Sequence, residues 1–237
     1  MLFLSYSNDI IQIFKLAYPG LHTKFYVWGI PFKVGMTVQR TFIALEFPTD
    51  LQNAIEKETA QLRKVITSAS VRWVPVHNIH LTLKFLGDSS PATIELLKQM
   101  LSQEALTHPS FEMTIRDLGV FPNSRRPRVI WIGLVTPPTL GSLQRAVDAG
   151  AARLGYEPET RPFSPHLTIA RVRENLTAAG LQTIRNALDG FKVGSIGSTR
   201  IESVQLFRSD LQPDGSVYTK LFTAHLTGTA VAEGGAS

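Results

Sequence analysis

The strongest constraint on what this chain can fold into is a short pattern that occurs twice. The first copy, His-Leu-Thr-Leu, occupies residues 80–83, and the second, His-Leu-Thr-Ile, occupies residues 166–169. Side chains alternate between the two faces of a β-strand, so each copy is typical of a strand with one apolar and one polar face. The pattern therefore predicts two strands that each bury their apolar residues and present an imidazole and a hydroxyl, about 7 Å apart, on the other face.

Strand patterns and amphipathic helix patterns alternate along most of the chain. The predicted strands cover about residues 40–47, 79–86, 111–118, 128–135, 166–172, 198–209 and 217–226, with a further short segment at 71–75. The predicted helices cover about residues 49–68, 91–101, 139–154 and 176–188. Strand pairs that alternate with helices predict an α+β fold, in which helices pack on antiparallel or mixed sheets in two similar halves.

The two ends of the chain differ in composition from the middle. Residues 1–35 hold eight of the 21 aromatic residues but only four charges, and they lack the pattern of a secretory signal. We interpret them as an N-terminal extension upstream of a start at Met36, the alternative being an ordered accessory segment. Residues 36–226 then form the main domain, and the small, polar residues 227–237 are predicted to be a disordered tail.

Composition excludes several classes of function. The chain has no cysteine, so it has no disulfide framework, no thiol nucleophile and no cysteine-based metal site. No window of about 18 apolar residues predicts a membrane span, and we expect a cytoplasmic protein without membrane association. Lys and Arg number 24 against 19 acidic residues, a net charge of +5. This mild excess suits an anionic partner such as a phosphate ester or RNA, although a solvated basic surface would look the same.

Two histidine strands without cysteine are compatible with only a few kinds of chemistry. A histidine pair could hold a metal, but no third His, Asp or Glu lies at a ligand spacing on either strand, and threonine is a poor zinc ligand. The chain also lacks a Gly-x-Ser-x-Gly elbow and a Walker-type phosphate loop. The other histidines have no partner pattern and are predicted to be non-catalytic: His22, His77, His108 and His225.

The pattern instead suits the opening of a cyclic phosphodiester. One imidazole would take a proton from the attacking water and the other would give a proton to the leaving oxygen, since one neutral and one charged ring can coexist near neutral pH. The two hydroxyls would donate to the non-bridging phosphate oxygens, whose charge must be held in the transition state. The titrations of the two rings would be coupled through the shared site.

Two charged residues on the same strands are further candidates for contact with the substrate. Lys84 shares a face with His80 if the strand is regular, so it could attract an anion or simply be solvated. Arg171 points away from His166 if its strand is regular. That direction favours a place at the cleft edge or in a structural ion pair over direct contact with the reacting phosphate.

A basic loop and three aromatic residues complete the candidates. Arg126 lies in a cluster with Arg125 and Arg128, where it could contact an RNA backbone or have a structural role. Large aromatic side chains could stack on a terminal base, with core packing as the alternative. These aromatic candidates are Trp73, Phe121 and Trp131.

With these motifs in place, the chain resembles the 2H phosphoesterase superfamily, in the branch of RNA 2′,3′-cyclic phosphodiesterases once called 2′-5′ RNA ligases. The resemblance covers about residues 38–226 and goes beyond the two tetrapeptides. It also includes Arg-Thr-Phe-Ile-Ala-Leu at 40–45, Arg-Trp-Val-Pro at 72–75, Asn78, Leu-Gly-Val-Phe-Pro at 118–122, Arg-Pro-Arg-Val-Ile-Trp at 126–131, Arg-Pro-Phe at 161–163 and Val-Gln-Leu-Phe-Arg-Ser at 204–209. Neither tetrapeptide departs from the family's pattern.

The resemblance implies a bilobal α+β fold with pseudo-twofold symmetry and a central cleft that carries one motif from each lobe. It implies that His80 is the proton donor, that His166 is the proton acceptor, and that Thr82 and Thr168 bind the phosphate. The implied reaction converts a 2′,3′-cyclic phosphate end of RNA, for example of a tRNA fragment, to a 2′-phosphomonoester, without metal or cofactor and in a monomer. Its reverse is 2′-5′ ligation.

Two other functions stay open at this point. One is a protein that binds RNA ends without turnover. The other is a 2H enzyme that acts on a different small cyclic phosphodiester.

Overall fold

The structure, a computed structural model, describes residues 25–27, 30–32, 38–212 and 215–228. The chain divides into two compact units, Met1–Thr37 and Val38–Ser237. In the first unit, strand β1 (Phe25–Val27) pairs antiparallel with β2 (Ile30–Phe32). The rest of the predicted extension and residues 229–237 of the predicted tail lie outside the described residues. Thr227, the first residue of that tail, donates from its backbone N–H to the carbonyl of His108 at 2.9 Å.

The described part of the second unit contains nine strands and four α-helices. The strands are β3 (Gln39–Glu46), β4 (Val71–Trp73), β5 (His80–Ser89), β6 (Phe111–Phe121), β7 (Val129–Val135), β8 (His166–Val172), β9 (Ser195–Ile201), β10 (Ser203–Gln212) and β11 (Gly215–His225). The helices are α1 (Thr49–Val65), α2 (Pro91–Leu106), α3 (Pro138–Arg153) and α4 (Ala178–Gly190). Among them, no helix is long and apolar enough to cross a membrane.

The strands form two antiparallel sheets, which confirms the predicted α+β fold. The first sheet has four strands in the order β11-β10-β3-β5, and the second has five in the order β4-β8-β7-β6-β9. One predicted element is wrong. The strand expected over residues 198–209 is two strands, β9 and β10, separated at Glu202, where the chain passes from one sheet to the other.

The two halves of the second unit repeat one connection. Strand β3 leads into α1 and the chain returns to β5 beside β3, and likewise β7 leads into α3 and the chain returns to β8 beside β7. Each of these helices packs on the sheet of the other half. Helix α1, which follows β3 of the four-stranded sheet, packs on β9 of the five-stranded sheet, and α3, which follows β7 of the five-stranded sheet, packs on β5 of the four-stranded sheet. This exchange ties the halves together on the side of the sheets that carries the helices.

One apolar core lies between the helices and the two sheets. It takes alternate residues from both histidine-bearing strands, including Leu81 and Leu167, and fully buried aliphatic residues from their neighbours, such as Ile43 and Ile130. Each such side chain contributes roughly 1.5–3 kcal/mol to folding. The opposite face of the four-stranded sheet carries a second, smaller apolar cluster of Phe42, Ala44 and Phe207 beside its polar residues.

Candidate active site

The two motifs meet where the sheets meet. His80 is the first residue of β5 and His166 is the first residue of β8, and these two strands lie next to each other without pairing. Burial is the largest cause that lowers the pKa of His80, and His166 is close enough to lower it further. The structure therefore brings the two predicted catalytic imidazoles, 86 positions apart in sequence, into one cleft.

Both imidazoles are held in the same way. Nδ1 of His80 lies 2.7 Å from the backbone carbonyl of Asn78, and Nδ1 of His166 lies 2.8 Å from that of Ser164. A carbonyl can only accept, so each Nδ1 carries a proton and donates it. Each ring consequently has Nε2 available to accept a proton when neutral or to donate one when charged.

The short 3-10 turn before His80, Val76–Asn78, is itself anchored. The side chain of Asn78 donates from Nδ2 to the carbonyl of Ser216 at 2.9 Å, which ties the approach to β5 to the start of β11. Because the carbonyl of the same asparagine holds the imidazole, this bond fixes the ring as well as the chain. Asn78 is part of the sequence resemblance, but sequence alone did not indicate this role.

His80 packs among aromatic rings that sequence reasoning did not single out. Phe42 lies on β3, the strand that pairs with β5, and its ring centroid is 4.9 Å from that of the imidazole. Tyr218 of β11 approaches the imidazole edge-on, with 5.2 Å between ring centroids. These contacts leave His80 half-buried, and this burial is the largest cause that lowers its pKa below the ordinary value of 6.5. The positive charges of Arg171 and His166 lower the pKa further, while the hydrogen bond to the Asn78 carbonyl opposes the shift.

His166 has its own aromatic neighbours, two of the three residues proposed to stack on a base. Phe121 meets the imidazole edge-on at 4.9 Å between ring centroids, and Trp131 lies at 6.3 Å. Trp131 lies over Gly119, where a Cβ would stand 2.2 Å from the indole ring. Glycine at that position is what allows the indole to lie flat on the sheet beside the cleft.

The third aromatic candidate, Trp73, faces away from the cleft. Its Nε1 donates to the carbonyl of Ile66 at 3.1 Å, and the guanidinium carbon of Arg63 lies 4.6 Å above its ring. The prediction that Trp73 could stack on a substrate base is therefore wrong. Its alternative, a packing role, is what the structure has.

The two threonines share the cleft face with the histidines. Thr82 pairs across the strands with Ala44, and Thr168 pairs with Trp131. Both are half-buried and stand two residues after the histidine of their strand. Each strand thus presents an imidazole and a hydroxyl side by side, as the pattern predicts.

Beyond Thr82, the regular alternation of β5 fails. Lys84 and Thr82 pair with the consecutive residues Ile43 and Ala44 of β3, which leaves Leu83 as an extra, bulged residue. The bulge turns Lys84 to the helix side, where it is 7% exposed and its Nζ lies 2.5 Å from Oδ1 of Asp148. The prediction that Lys84 shares a face with His80 is wrong for this reason.

The same bulge brings another residue to the cleft face. Phe85 pairs with Phe42, whose ring contacts His80, and it is 69% exposed although the sequence pattern predicted it to be buried. Its ring centroid lies 6.3 Å from that of Phe42. An exposed phenyl ring therefore stands at the edge of the cleft.

An equivalent bulge corrects the direction of Arg171. Thr168 and Ala170 pair with the consecutive residues Trp131 and Ile130, so Ile169 is the extra residue of β8. Ala170 is buried in the core, and Arg171 is turned onto the face that carries His166. The prediction that Arg171 points away from His166 is wrong, because it assumed a regular strand.

Arg126 lies outside this constellation. It is exposed on the loop between β6 and β7, where its backbone N–H donates to the side chain of Asn123 at 3.1 Å. Within residues 38–212 and 215–228, no group of three or more His, Asp and Glu residues could hold a metal ion.

Two curated relatives match this chain over nearly the whole of their own length. A Methanothermobacter thermautotrophicus protein named RNA 2′,3′-cyclic phosphodiesterase is 34% identical over 182 residues, which are 77% of this chain and 96% of the relative. An Aquifex aeolicus protein of the same name is 29% identical over 196 residues, 81% of this chain and all of the relative.

Solved structures share the fold. Escherichia coli LigT in complex with 3′-AMP superposes with a TM-score of 0.64 at 28% identity, covering 80% of this chain and 99% of LigT. A Thermus thermophilus protein superposes with a TM-score of 0.67 at 26% identity, covering 81% of this chain and 100% of its own. The family model described as LigT-like phosphoesterase matches twice, at residues 45–131 and 132–218, so that each match contains one histidine motif. The chain belongs to the LigT-like phosphoesterase family.

Proposed function

We propose that this chain hydrolyses the 2′,3′-cyclic phosphodiester at an RNA end to a 2′-phosphomonoester. The observation that carries the proposal is the pair of imidazoles on neighbouring strands, each held through Nδ1 and each followed by a hydroxyl on the same face. The names of the curated relatives and the 3′-AMP complex of LigT support it from outside the site. If the 5′-hydroxyl of a second RNA opened the same cyclic phosphate in place of water, the product would be a 2′-5′ linkage, which is the proposed ligase activity.

In the proposed reaction, the two histidines move protons in opposite directions. His166 takes a proton from water, and the water oxygen bonds to phosphorus. The bond from phosphorus to the 3′ oxygen breaks, and His80 gives its proton to that oxygen, which leaves a 3′-hydroxyl and a 2′-phosphate. Burial lowers the pKa of His80 in the free protein, but a phosphate anion beside the ring favours its charged form. The proposal therefore requires bound substrate to raise the pKa of His80.

The remaining residues of the proposal bind the negatively charged oxygens of the substrate. Thr82 and Thr168 donate hydrogen bonds to the non-bridging oxygens of the phosphate, where charge grows as the water attacks. Arg171 adds a positive charge on the same face as His166. Arg126, on its exposed loop, is proposed to contact RNA backbone outside the cleft.

The test is incubation of the protein with an oligonucleotide that ends in a 2′,3′-cyclic phosphate, in the presence of EDTA. Because imidazoles and hydroxyls supply all the proposed chemistry, we expect full activity and a 2′-phosphate product, identified by chromatography against both monophosphate isomers. A variant with His80→Ala and His166→Ala is the control. Activity that EDTA abolishes and zinc or manganese restores would contradict the acid–base mechanism, and a 3′-phosphate product would contradict the proposed leaving oxygen.

The same assay separates the two other functions. An RNA-end binding protein would retain the oligonucleotide without turning it over. A phosphodiesterase for another small molecule would hydrolyse a small cyclic phosphodiester much faster than the RNA end.

A further inference from the structure

Two arginines lie side by side on the cleft face of the five-stranded sheet. Arg72, on the edge strand β4, is the direct cross-strand partner of Arg171 on β8. Residues directly opposite in antiparallel strands point to the same face, with Cβ atoms about 5 Å apart, and like charges so placed are destabilising. Both side chains are exposed. A pair of this kind needs an explanation other than stability.

Two nearby arginines, Arg128 and Arg173, have partners, whereas Arg72 and Arg171 have none among the described residues. Arg173 donates from Nε to a backbone carbonyl at 2.9 Å, and Nη1 of Arg128 lies 3.6 Å from the carboxylate of Glu174. In the described part of the chain, neither Arg72 nor Arg171 forms an ion pair with a carboxylate. The pair is therefore free to bind an anion from solution.

The two arginines lie close enough to the reacting phosphate to contact the next phosphate of the same RNA. Arg171 follows Thr168 by three residues on β8, roughly 10 Å along the strand. Its charge acts on the cleft, since it contributes to the lowered pKa of His80. Positive charge thus lies beyond Thr168 on the cleft face, at Arg171 and at Arg72 on the sheet edge. The distance from Thr168 is one that a nucleotide and an arginine side chain can span together.

We propose that Arg72 and Arg171 together bind the phosphate on the 5′ side of the terminal nucleotide. An RNA end has this phosphate, and a nucleoside 2′,3′-cyclic phosphate lacks it. Guanidinium groups bind phosphate oxygens through paired, charge-assisted hydrogen bonds, and such contacts position a nucleic acid without reading its sequence. The inference rests on the proposed hydrolysis of RNA ends and adds that the enzyme recognises a chain by its second phosphate.

The test compares a nucleoside 2′,3′-cyclic phosphate with the same compound carrying a 5′-phosphate, so that the substrates differ by one group. In the wild type, the 5′-phosphate should raise kcat/KM, chiefly through a lower KM. Arg72→Gln should reduce the ratio of the two kcat/KM values by on the order of tenfold, because a hydrogen bond to a charged group is lost. Arg145→Gln, which removes an exposed arginine from α3, is the matched control and should keep the wild-type ratio.

Two further measurements make the outcome unambiguous. Arg72→Gln should not lower Tm, since it removes a like-charge neighbour of Arg171, and a lower Tm would contradict the idea that no stabilising partner is lost. Binding of nucleoside 2′-phosphate and 2′,5′-bisphosphate, measured by calorimetry, gives the same comparison without turnover. An unchanged ratio in Arg72→Gln would overturn the second-phosphate site. Absence of hydrolysis of every cyclic substrate by the wild type would instead overturn the proposed function, and the binding data would still test the site.

Discussion

His80 and His166 share one anchoring device but not one environment. Each donates Nδ1–H to the carbonyl two residues before it, which fixes the tautomer. His80 is the ring whose pKa is lowered, by burial first and then by the charges of Arg171 and His166. A lowered pKa favours the neutral ring in the free protein, so His80 can act as the acid only if the bound phosphate reverses the shift. The pH dependence of the rate can therefore show which histidine is the acid and which is the base.

Single histidine variants should reveal the two roles through opposite pH dependences. His80→Ala and His166→Ala should each lower kcat by about 10²–10⁴-fold. In His166→Ala only the acid remains, so the residual rate should fall as pH rises through the pKa of His80. In His80→Ala only the base remains, so the residual rate should rise with pH.

The midpoint adds a second check on His80. In His166→Ala the midpoint of kcat/KM should lie below 6.5, and that of kcat should lie at higher pH, because bound phosphate raises the pKa of His80. Rates measured across pH with both variants give these midpoints. A rate that rises with pH in His166→Ala and falls with pH in His80→Ala, the reverse of this expectation, would exchange the roles of acid and base while leaving the reaction class intact.

The threonines should matter less than the histidines. Thr82→Ala or Thr168→Ala removes one donor to a charged oxygen, a loss on the order of 1.5–3 kcal/mol, or roughly ten- to a hundredfold in kcat/KM. Thr→Ser at each position keeps the hydroxyl and is the control. Steady-state kinetics on one cyclic substrate measure all four variants. A Ser variant as impaired as its Ala counterpart would indicate a role in packing instead of hydrogen bonding.

Among the elements of the fold, the two bulged strands mark the limit of what sequence could predict. Alternation correctly predicted that His80 and Thr82 share a face, because those residues precede the bulge. It failed immediately afterwards, at Lys84 and Phe85, since an extra residue at Leu83 reverses the side chains that follow it, until the register shifts again at Leu86. A bulge depends on how two strands pair, and no single-strand pattern records that.

The same reasoning explains the residues that sequence analysis missed. Phe42 contacts His80 because β3 pairs with β5, and Tyr218 contacts it although β11 lies at the other edge of the same sheet, so both neighbours depend on long-range pairing and packing. Arg72 faces Arg171 only because β4, which follows α1, joins the other sheet. The strand expected at 198–209 was divided for a related reason, since its apolar pattern continues across the point where the chain changes sheets.

The bulge in β5 leads to a prediction about stability. Lys84 is buried in an ion pair with Asp148 of α3 and also donates to the carbonyl of Glu157 at 2.5 Å. Lys84→Met leaves the carboxylate without its partner and should cost about 3 kcal/mol of unfolding free energy, measured by urea denaturation. At a temperature where the variant is folded, kcat/KM should stay within a few fold of the wild type, because Lys84 lies on the helix side of the sheet.

A double variant checks the cause. Adding Asp148→Asn to Lys84→Met removes the uncompensated charge and should recover part of the lost stability, so the two effects should not add. Additive losses would contradict the ion pair. A large loss of kcat/KM with little loss of stability would return Lys84 to the role of substrate contact.

At the scale of the whole molecule, the cleft is built from two halves of similar structure. Each half supplies a strand that begins with histidine, a helix that crosses to the other half, and a bulge one residue after the threonine. The bulges give the halves different residues at equivalent places, Phe85 in one and Arg171 in the other. One half therefore offers an apolar ring and the other a charge at the edge of the cleft, which suits a substrate with a base at one end and phosphates at the other.

The last prediction concerns residues 1–35. All residues placed in the cleft belong to the unit Val38–Ser237, and its first strand, β3, begins at Gln39. A protein that starts at Met36 should therefore keep the fold and the activity, with kcat/KM and Tm close to those of the full chain. Thermal unfolding and hydrolysis of a cyclic-phosphate oligonucleotide, measured on both proteins, test this. A Tm lower by several degrees in the shorter protein would mean that the aromatic segment stabilises the domain, and a raised KM at unchanged Tm would mean that it contacts RNA.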